Sequence, residues 1–226
     1  MLIGILQTGH FVAEAKARLG DYDQMFAQLL DGQGFEFRTY AVVDMEFPGS
    51  VADCDGWLIT GSKHGAYEDH PFIKPLEDFI RAAFDKRVPI VGICFGHQII
   101  AQALGGRVEK FSGGWSAGRK TYDFEGETVT LNAWHQDQVV AVPEGAEVVG
   151  SSEFCRNAAL VYPGRAYTVQ AHPEYDASVI NVLLDVRAPG VLPDPMIAEA
   201  RASIDGPTDR AKIAARIGDF FRENAA

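Results

Sequence analysis

Short, unbroken apolar runs alternate along the N-terminal half of the chain with segments whose apolar side chains recur every three to four positions. Leu2–Leu6, Trp57–Thr60 and Pro89–Ile93 are too short for helices and show no polar face, so they predict strands buried on both sides. Asp21 can cap a helix reaching about Asp31, with Met25, Phe26, Leu29 and Leu30 on one stripe and Gly32 and Gly34 as its stop. Phe35–Val43 alternates enough to predict a second strand. A helix opened by Pro75 carries Leu76, Phe79, Ile80, Ala83 and Phe84 at helical spacing. Pro89–Ile93 runs into a helical stretch, Ile99–Leu104, closed by Gly105 and Gly106. Strands alternating with helices imply right-handed crossovers and a parallel sheet.

From Arg107 to about Gln170 the pattern changes. Thr128–Leu131, Val139–Val142, Glu147–Ser151 and Ala166–Gln170 alternate between turn residues, which predicts antiparallel or mixed strands. Ala177–Leu184 and Pro207–Asn224 read as helices, the second with Ile213, Ile217, Phe220 and Phe221 on its apolar side. Between them, Arg187–Pro195 carries three prolines and a glycine and reads as a loop. The expected fold is one three-layer α/β domain over residues 1–226. Its sheet is mostly parallel, with helices on both faces and a small antiparallel extension. The core would span about 1–185, followed by a loop and helix over 186–226.

Composition narrows the partners. The chain has 226 residues, 47% of them apolar, and a net charge of −11 from 20 basic and 31 acidic side chains. Such a field repels phosphate backbones and anionic lipid, so neither nucleic acid nor a membrane surface is expected as a partner. Three widely spaced cysteines, Cys54, Cys94 and Cys155, form neither a disulfide framework nor a zinc ribbon and suit a reducing cytoplasm. The N-terminal apolar run lacks a basic flank and reads as a strand rather than a signal peptide, and no run approaches the ~20 residues of a membrane span. A cytoplasmic protein is the expectation.

Gly92-Ile93-Cys94-Phe95-Gly96 places a Gly-x-Cys-x-Gly between a buried strand and a helix. Small residues two positions either side of the cysteine permit a tight turn that pushes its sulfur to the carboxyl edge of the sheet. There a helix N-terminus favours negative charge, and the Phe95 N–H points at a developing oxyanion. A thiol nucleophile needs a base, and the base an orienting group. Among the six histidines, His172 stands out in His172-Pro173-Glu174, where Pro173 fixes the backbone between an imidazole and a carboxylate.

Together, Gly92-Ile93-Cys94-Phe95-Gly96-His97-Gln98 and, 172 − 94 = 78 residues later, His172-Pro173-Glu174 resemble a class I glutamine amidotransferase domain, especially the stand-alone domain associated with GMP synthase. The resemblance extends from the first strand to about Tyr175 and implies the flavodoxin-like fold of that family. It implies Cys94 as nucleophile, His172 as general base and acid, and Glu174 as the orienting carboxylate. Gly61-Ser62-Lys63-His64-Gly65 resembles the family's glycine-rich loop, which implies an oxyanion donor at Gly61 or Ser62 beside the N–H of Phe95. Gln98 matches a substrate-holding glutamine, and His135-Gln136-Asp137 resembles a His-x-Asp segment that contacts the substrate's amino-acid end.

The implied reaction is hydrolysis of the glutamine side-chain amide through a γ-glutamyl thioester. The ammonia would pass to a separate synthetase or acceptor subunit, since no length remains for one within the chain. Direct hydrolysis of another γ-glutamyl peptide or amine is the alternative. The third reading is a non-catalytic regulatory subunit. No cofactor or metal is implied. Thr60, Gly61 and Ser62 replace a common Gly-Gly-Pro, Trp134 stands where a serine is common, and Ser116 where a glutamate is, so substrate identity is less fixed than reaction class.

Several further signals have plainer readings. Gly56–Lys63 superficially resembles a phosphate-binding loop, but its Gly-Ser-Lys order and strand-like interior speak against one. Cys94 and His97 lack a second ligand pair. His64 and His70 read as solvated loop residues, Cys54 and Cys155 as structural, and Tyr67, Trp115 and Trp134 as packing or rim.

Overall fold

The computed structural model describes residues 1–225. Strands β1 (Leu2–Leu6), β3 (Gly56–Ile59), β4 (Ile90–Ile93) and β11 (Ala166–Val169) run parallel side by side, with β2 (Glu36–Tyr40) parallel along the outer edge of β1. β10 (Ala159–Tyr162) and β9 (Glu147–Gly150) extend the sheet antiparallel, giving the order β2-β1-β3-β4-β11-β10-β9. Counted in chain order, the five parallel strands lie 2-1-3-4-5, the flavodoxin-like winding.

Alternation of side chains across each strand explains the missing polar face. Trp57, Ile59 and Ile90 point to one side, against Leu76, Ile80 and Ala83 of α3 (Ile73–Asp85) and Ile99 and Ile100 of α4 (Phe95–Ala103). Ile3, Ile5, Leu58, Val91, Ile93 and Val169 point to the other. There they meet Phe26 of α2 (Tyr22–Leu29) and Ile213, Ile217 and Phe221 of α7 (Arg210–Asn224). Each fully buried aliphatic side chain contributes on the order of 2 kcal/mol relative to exposure, so burial of these faces, more than helix propensity, holds the layers together.

Two small antiparallel pairs lie apart from the main sheet. In one, a hairpin, β6 (Ser116–Phe124) pairs residue for residue with β7 (Glu127–His135), and in the other the non-consecutive strands β5 (Arg107–Lys110) and β8 (Asp137–Ala141) pair. The apolar pattern marks the first half of β7 and most of β8. It does not mark β6, where Gly118, Arg119 and Lys120 interrupt the apolar alternation. β10 is a four-residue apolar run, too short for pattern to separate strand from buried helix.

Two helices also lie outside the sequence reading. α1 (Ala13–Leu19) and α6 (Asp194–Ser203) each bury a single alanine, Ala15 and Ala200, so neither carries an apolar stripe. The expected loop over Arg187–Pro195 ends one residue before Asp194, because Pro195 falls in the first turn of α6, where its missing N–H costs nothing. The same applies to Pro75, which lies inside α3 rather than opening it. With α5 (Ala177–Val186), these helices enclose a third core around Phe11, Tyr175, Ile180 and Leu183. Among the described residues no helix is long and apolar enough to cross a membrane.

Candidate active site

β4 ends at Ile93 and α4 begins at Phe95, so Cys94 alone makes the turn between them, at φ 53° and ψ −101°. That conformation strains an L-residue and persists only where its surroundings enforce it. Here Cys94 N–H donates to the Val169 carbonyl (2.8 Å) and Gly96 N–H to the Thr60 carbonyl (3.1 Å). The flanking glycines are steric necessities. A Cβ on Gly92 would lie 2.5 Å from the Gly96 oxygen, and one on Gly96 only 2.3 Å from the Ile59 oxygen. Phe95, first in α4, carries one of the N–H groups a helix leaves unsatisfied.

β11 is parallel to β4 with Val169 opposite Ile93, so the chain leaving β11 passes beside Cys94. His172 N–H donates to the Asn132 carbonyl (2.8 Å), which ties this exit to β7. His172 Nδ1–H donates to Glu174 Oε1 at 2.7 Å, with both side chains buried. The ring stacks on Tyr175, centroids 4.0 Å apart and planes 1° from parallel. These contacts fix the imidazole with Nε2 turned away from Glu174, and a Cβ on Gly61 would touch both the ring and Cys94, so the thiol lies beside it. Burial alone would lower the pKa of His172, but the negative charges and hydrogen bonds of Cys94 and Glu174 outweigh it and raise the value to about 10. Arg210, at the start of α7, donates to the carbonyls of Pro173 (3.1 Å) and Glu174 (3.3 Å) and clamps the turn from outside.

The loop after β3 is held by Thr8, whose hydroxyl donates to the Gly61 carbonyl (3.0 Å), while Ser62 Oγ donates to the Thr8 carbonyl (2.7 Å). With the Gly61 carbonyl turned to Thr8, the N–H of the same planar peptide, at Ser62, points the opposite way. A Cβ on Gly61 would sit 3.0 Å from His172 Cε1 and 3.9 Å from Cys94 Cβ, so the loop closes directly over the thiol.

The family profile for class-I glutamine amidotransferases matches residues 21–182, a span containing all of these groups except Thr8 and Arg210. The chain belongs to the class I glutamine amidotransferases. It is 32% identical to a glutamine amidotransferase-like protein of Schizosaccharomyces pombe over 98% of each chain. It is likewise 32% identical to gamma-glutamyl peptidase 4 of Arabidopsis thaliana, over 76% of this chain and 74% of that one. The glutamine-hydrolysing GMP synthase subunit of Methanocaldococcus jannaschii is 37% identical over 46% of this chain and 60% of its own. The fold is shared with a glutamine amidotransferase from Methylobacillus flagellatus, with a TM-score of 0.77 at 21% identity, covering 100% of this chain and 95% of that one.

In this class I amidotransferase the elbow opens on a cleft of about 190 Å³. Ser62, Cys94, Gln98, His135 and Asp137 line it; Gly61 and Phe95, expected beside them from sequence, are not in its lining. Gln98 is not free: its amide N–H₂ donates to the Asp137 carbonyl (2.9 Å) and to Gln170 Oε1 (3.1 Å). Gln170 in turn reaches Cys94 Sγ at 3.5 Å, and sequence reading missed it because only strand register places it beside the thiol. His135 Nδ1–H donates to the Asp137 carbonyl (3.2 Å), leaving a buried Nε2 without a partner among the described residues. Burial holds this imidazole down at about 4, hence neutral. Asp137 is raised, chiefly by burial, and accepts from the Tyr67 hydroxyl (3.2 Å).

Trp115 and Trp134, read as packing or rim from sequence, form an edge-on pair in the cleft wall, with Lys63, Lys110 and Arg187 also along it. His97 faces away: its Nδ1 meets Thr168 Oγ1 at 2.8 Å, and burial lowers it to about 3.

Proposed function

We propose that this class I amidotransferase hydrolyses the side-chain amide of glutamine through a γ-glutamyl thioester on Cys94. The observation that carries the proposal is Cys94, held in a strained backbone conformation at the strand-to-helix turn, beside a buried, carboxylate-held His172. The Cys94 thiolate attacks the amide carbonyl, and negative charge develops on its oxygen. The N–H groups of Phe95 and of the Gly61–Ser62 peptide are the donors placed to receive it. Protonated His172 gives its Nε2 proton to the departing nitrogen, and ammonia leaves as the thioester forms. His172, now neutral, takes a proton from water, which attacks the thioester. Collapse returns the thiolate and releases glutamate. Glu174 keeps the proton on Nδ1 throughout, so Nε2 always faces the reaction.

Asp137 would pair with the substrate's α-ammonium, and the unpartnered Nε2 of His135 offers a second acceptor. The cationic side chains along the wall suit the α-carboxylate. Gln98 acts by holding Asp137 and Gln170. No step calls for a cofactor. Ammonia delivery to a separate synthetase accords with the resemblance to a GMP synthase subunit.

One observation favours a second reading, hydrolysis of γ-glutamyl peptides or amines: the peptidase relative matches a larger share of this chain than the synthase subunit does. The tryptophan pair would then pack against the leaving group. A panel of glutamine, γ-glutamyl dipeptides and γ-glutamyl alkylamines separates the two by kcat/KM. Cys94→Ala abolishes turnover of every member while the far-ultraviolet spectrum stays native. Residual hydrolysis in that variant removes Cys94 as the nucleophile.

A further inference from the structure

The loop between β3 and α3 carries a second cluster that the hydrolytic chemistry does not use. The donor atoms of His64, Glu68 and His70 lie within 4.8 Å of one another. Glu68 Oε2 is 2.8 Å from His70 Nε2 and 3.8 Å from His64 Nδ1. The imidazole centroids are 4.0 Å apart, and both rings pack on Phe72, His70 within 15° of parallel. Phe72 is only 2% exposed and packs on Phe95, the residue after the nucleophile. Backbone bonds hold the loop between: His64 N–H to Ser62 Oγ (3.2 Å), Glu68 N–H to the Gly65 carbonyl (3.1 Å) and Ile73 N–H to the His70 carbonyl (3.0 Å). The side chains are therefore arranged by packing rather than as independent solvated groups.

Two imidazoles and a carboxylate are a donor set taken by zinc-class ions, whereas magnesium and calcium prefer oxygen alone. Ligand bonds of about 2.0–2.2 Å in a tetrahedron require donor–donor edges of roughly 3.3–3.6 Å. The observed separations of 2.8 and 3.8 Å bracket that range, so small side-chain adjustments complete the geometry. Three protein ligands leave a fourth position, and His64 and Glu68 line the same cleft as Cys94.

We propose that His64, Glu68 and His70 form a binding site for a zinc-class divalent cation at the cleft mouth, and that its occupation obstructs substrate entry. Cobalt(II) titration of the full-length Cys94→Ser variant, followed by visible absorption, tests the site without the competing thiolate. One equivalent should bind with the intense bands of a four-coordinate ion, and adding His70→Asn or Glu68→Gln should weaken it at least about tenfold. In the chain with Cys94 intact, zinc should raise KM for the γ-glutamyl substrate, and His70→Asn should remove that effect.

The site is overturned if Cys94→Ser binds no stoichiometric cobalt, or if both ligand variants bind as tightly as their parent. Binding with KM unmoved overturns the obstruction. Because the titration reads the metal directly, a chain inactive on every γ-glutamyl compound still reports on the site, and the two failures remain distinct.

Discussion

His172 is completely enclosed, yet its neighbours favour the protonated ring, so its value lies near 10 instead of the ordinary 6.5. The imidazolium therefore persists across neutral pH as the acid for the leaving nitrogen. Turnover should hold through neutrality and fall as pH approaches about 10, a limb that rate measurements on a γ-glutamyl substrate would display. The same shift has a sign for stability. A raised folded-state value means the protonated pair contributes fully below about 6.5 and is lost as pH climbs through about 10. Glu174→Gln removes the negative charge and lets an amide N–H₂ face Nδ1, which favours the wrong tautomer, and should lower kcat on the order of 10³-fold with little change in KM. Cys94, His172 and Glu174 are legible from sequence because each lies in a short motif whose backbone constraints are local. Gln170 is not, because its place beside the sulfur depends on the register of two strands 76 positions apart (170 − 94).

At the scale of elements, the entry to α2 shows how a cap organises the rim of the sheet. Asp21 accepts from the N–H groups of Phe11 (2.7 Å) and Tyr22 (2.9 Å), completes a capping box with Gln24, and meets both Lys16 and His10. Burial works against its ionisation, but these bonds prevail and bring it down to about 2. Asp21→Ala should cost about 1–2 kcal/mol by denaturant unfolding at neutral pH. A depressed carboxyl stabilises above its ordinary value near 3.8, so that cost should shrink as pH falls from there through about 2. The sequence reveals α2 because cap, stripe and glycine stop coincide. It does not reveal α1 or α6, which are helices held by neighbours rather than by their own pattern.

At the scale of the molecule, the C-terminal segment completes the fold and touches the chemistry. Ile213, Ile217 and Phe221 are fully buried in the core that also contains Ile3, Leu58 and Val91, and Arg210 at the head of that helix clamps the His172–Glu174 turn. Arg210→Ala should lower kcat about tenfold, while Arg210→Lys, which keeps one donor, should recover part of it. A purely structural role would move the melting temperature and leave kcat alone. The βαβ winding was legible because parallel strands buried on both faces read as unbroken apolar runs. The clamp was not, since nothing in the sequence near Arg210 points to a turn 36 residues earlier (210 − 174).

The central claim, that Cys94 carries the γ-glutamyl group, is tested most directly by intact-mass and peptide mapping after exposure to a diazo-ketone analogue of glutamine. One adduct per chain on Cys94, absent from Cys94→Ala, is the predicted result. No adduct, or one confined to Cys54 or Cys155, would contradict it.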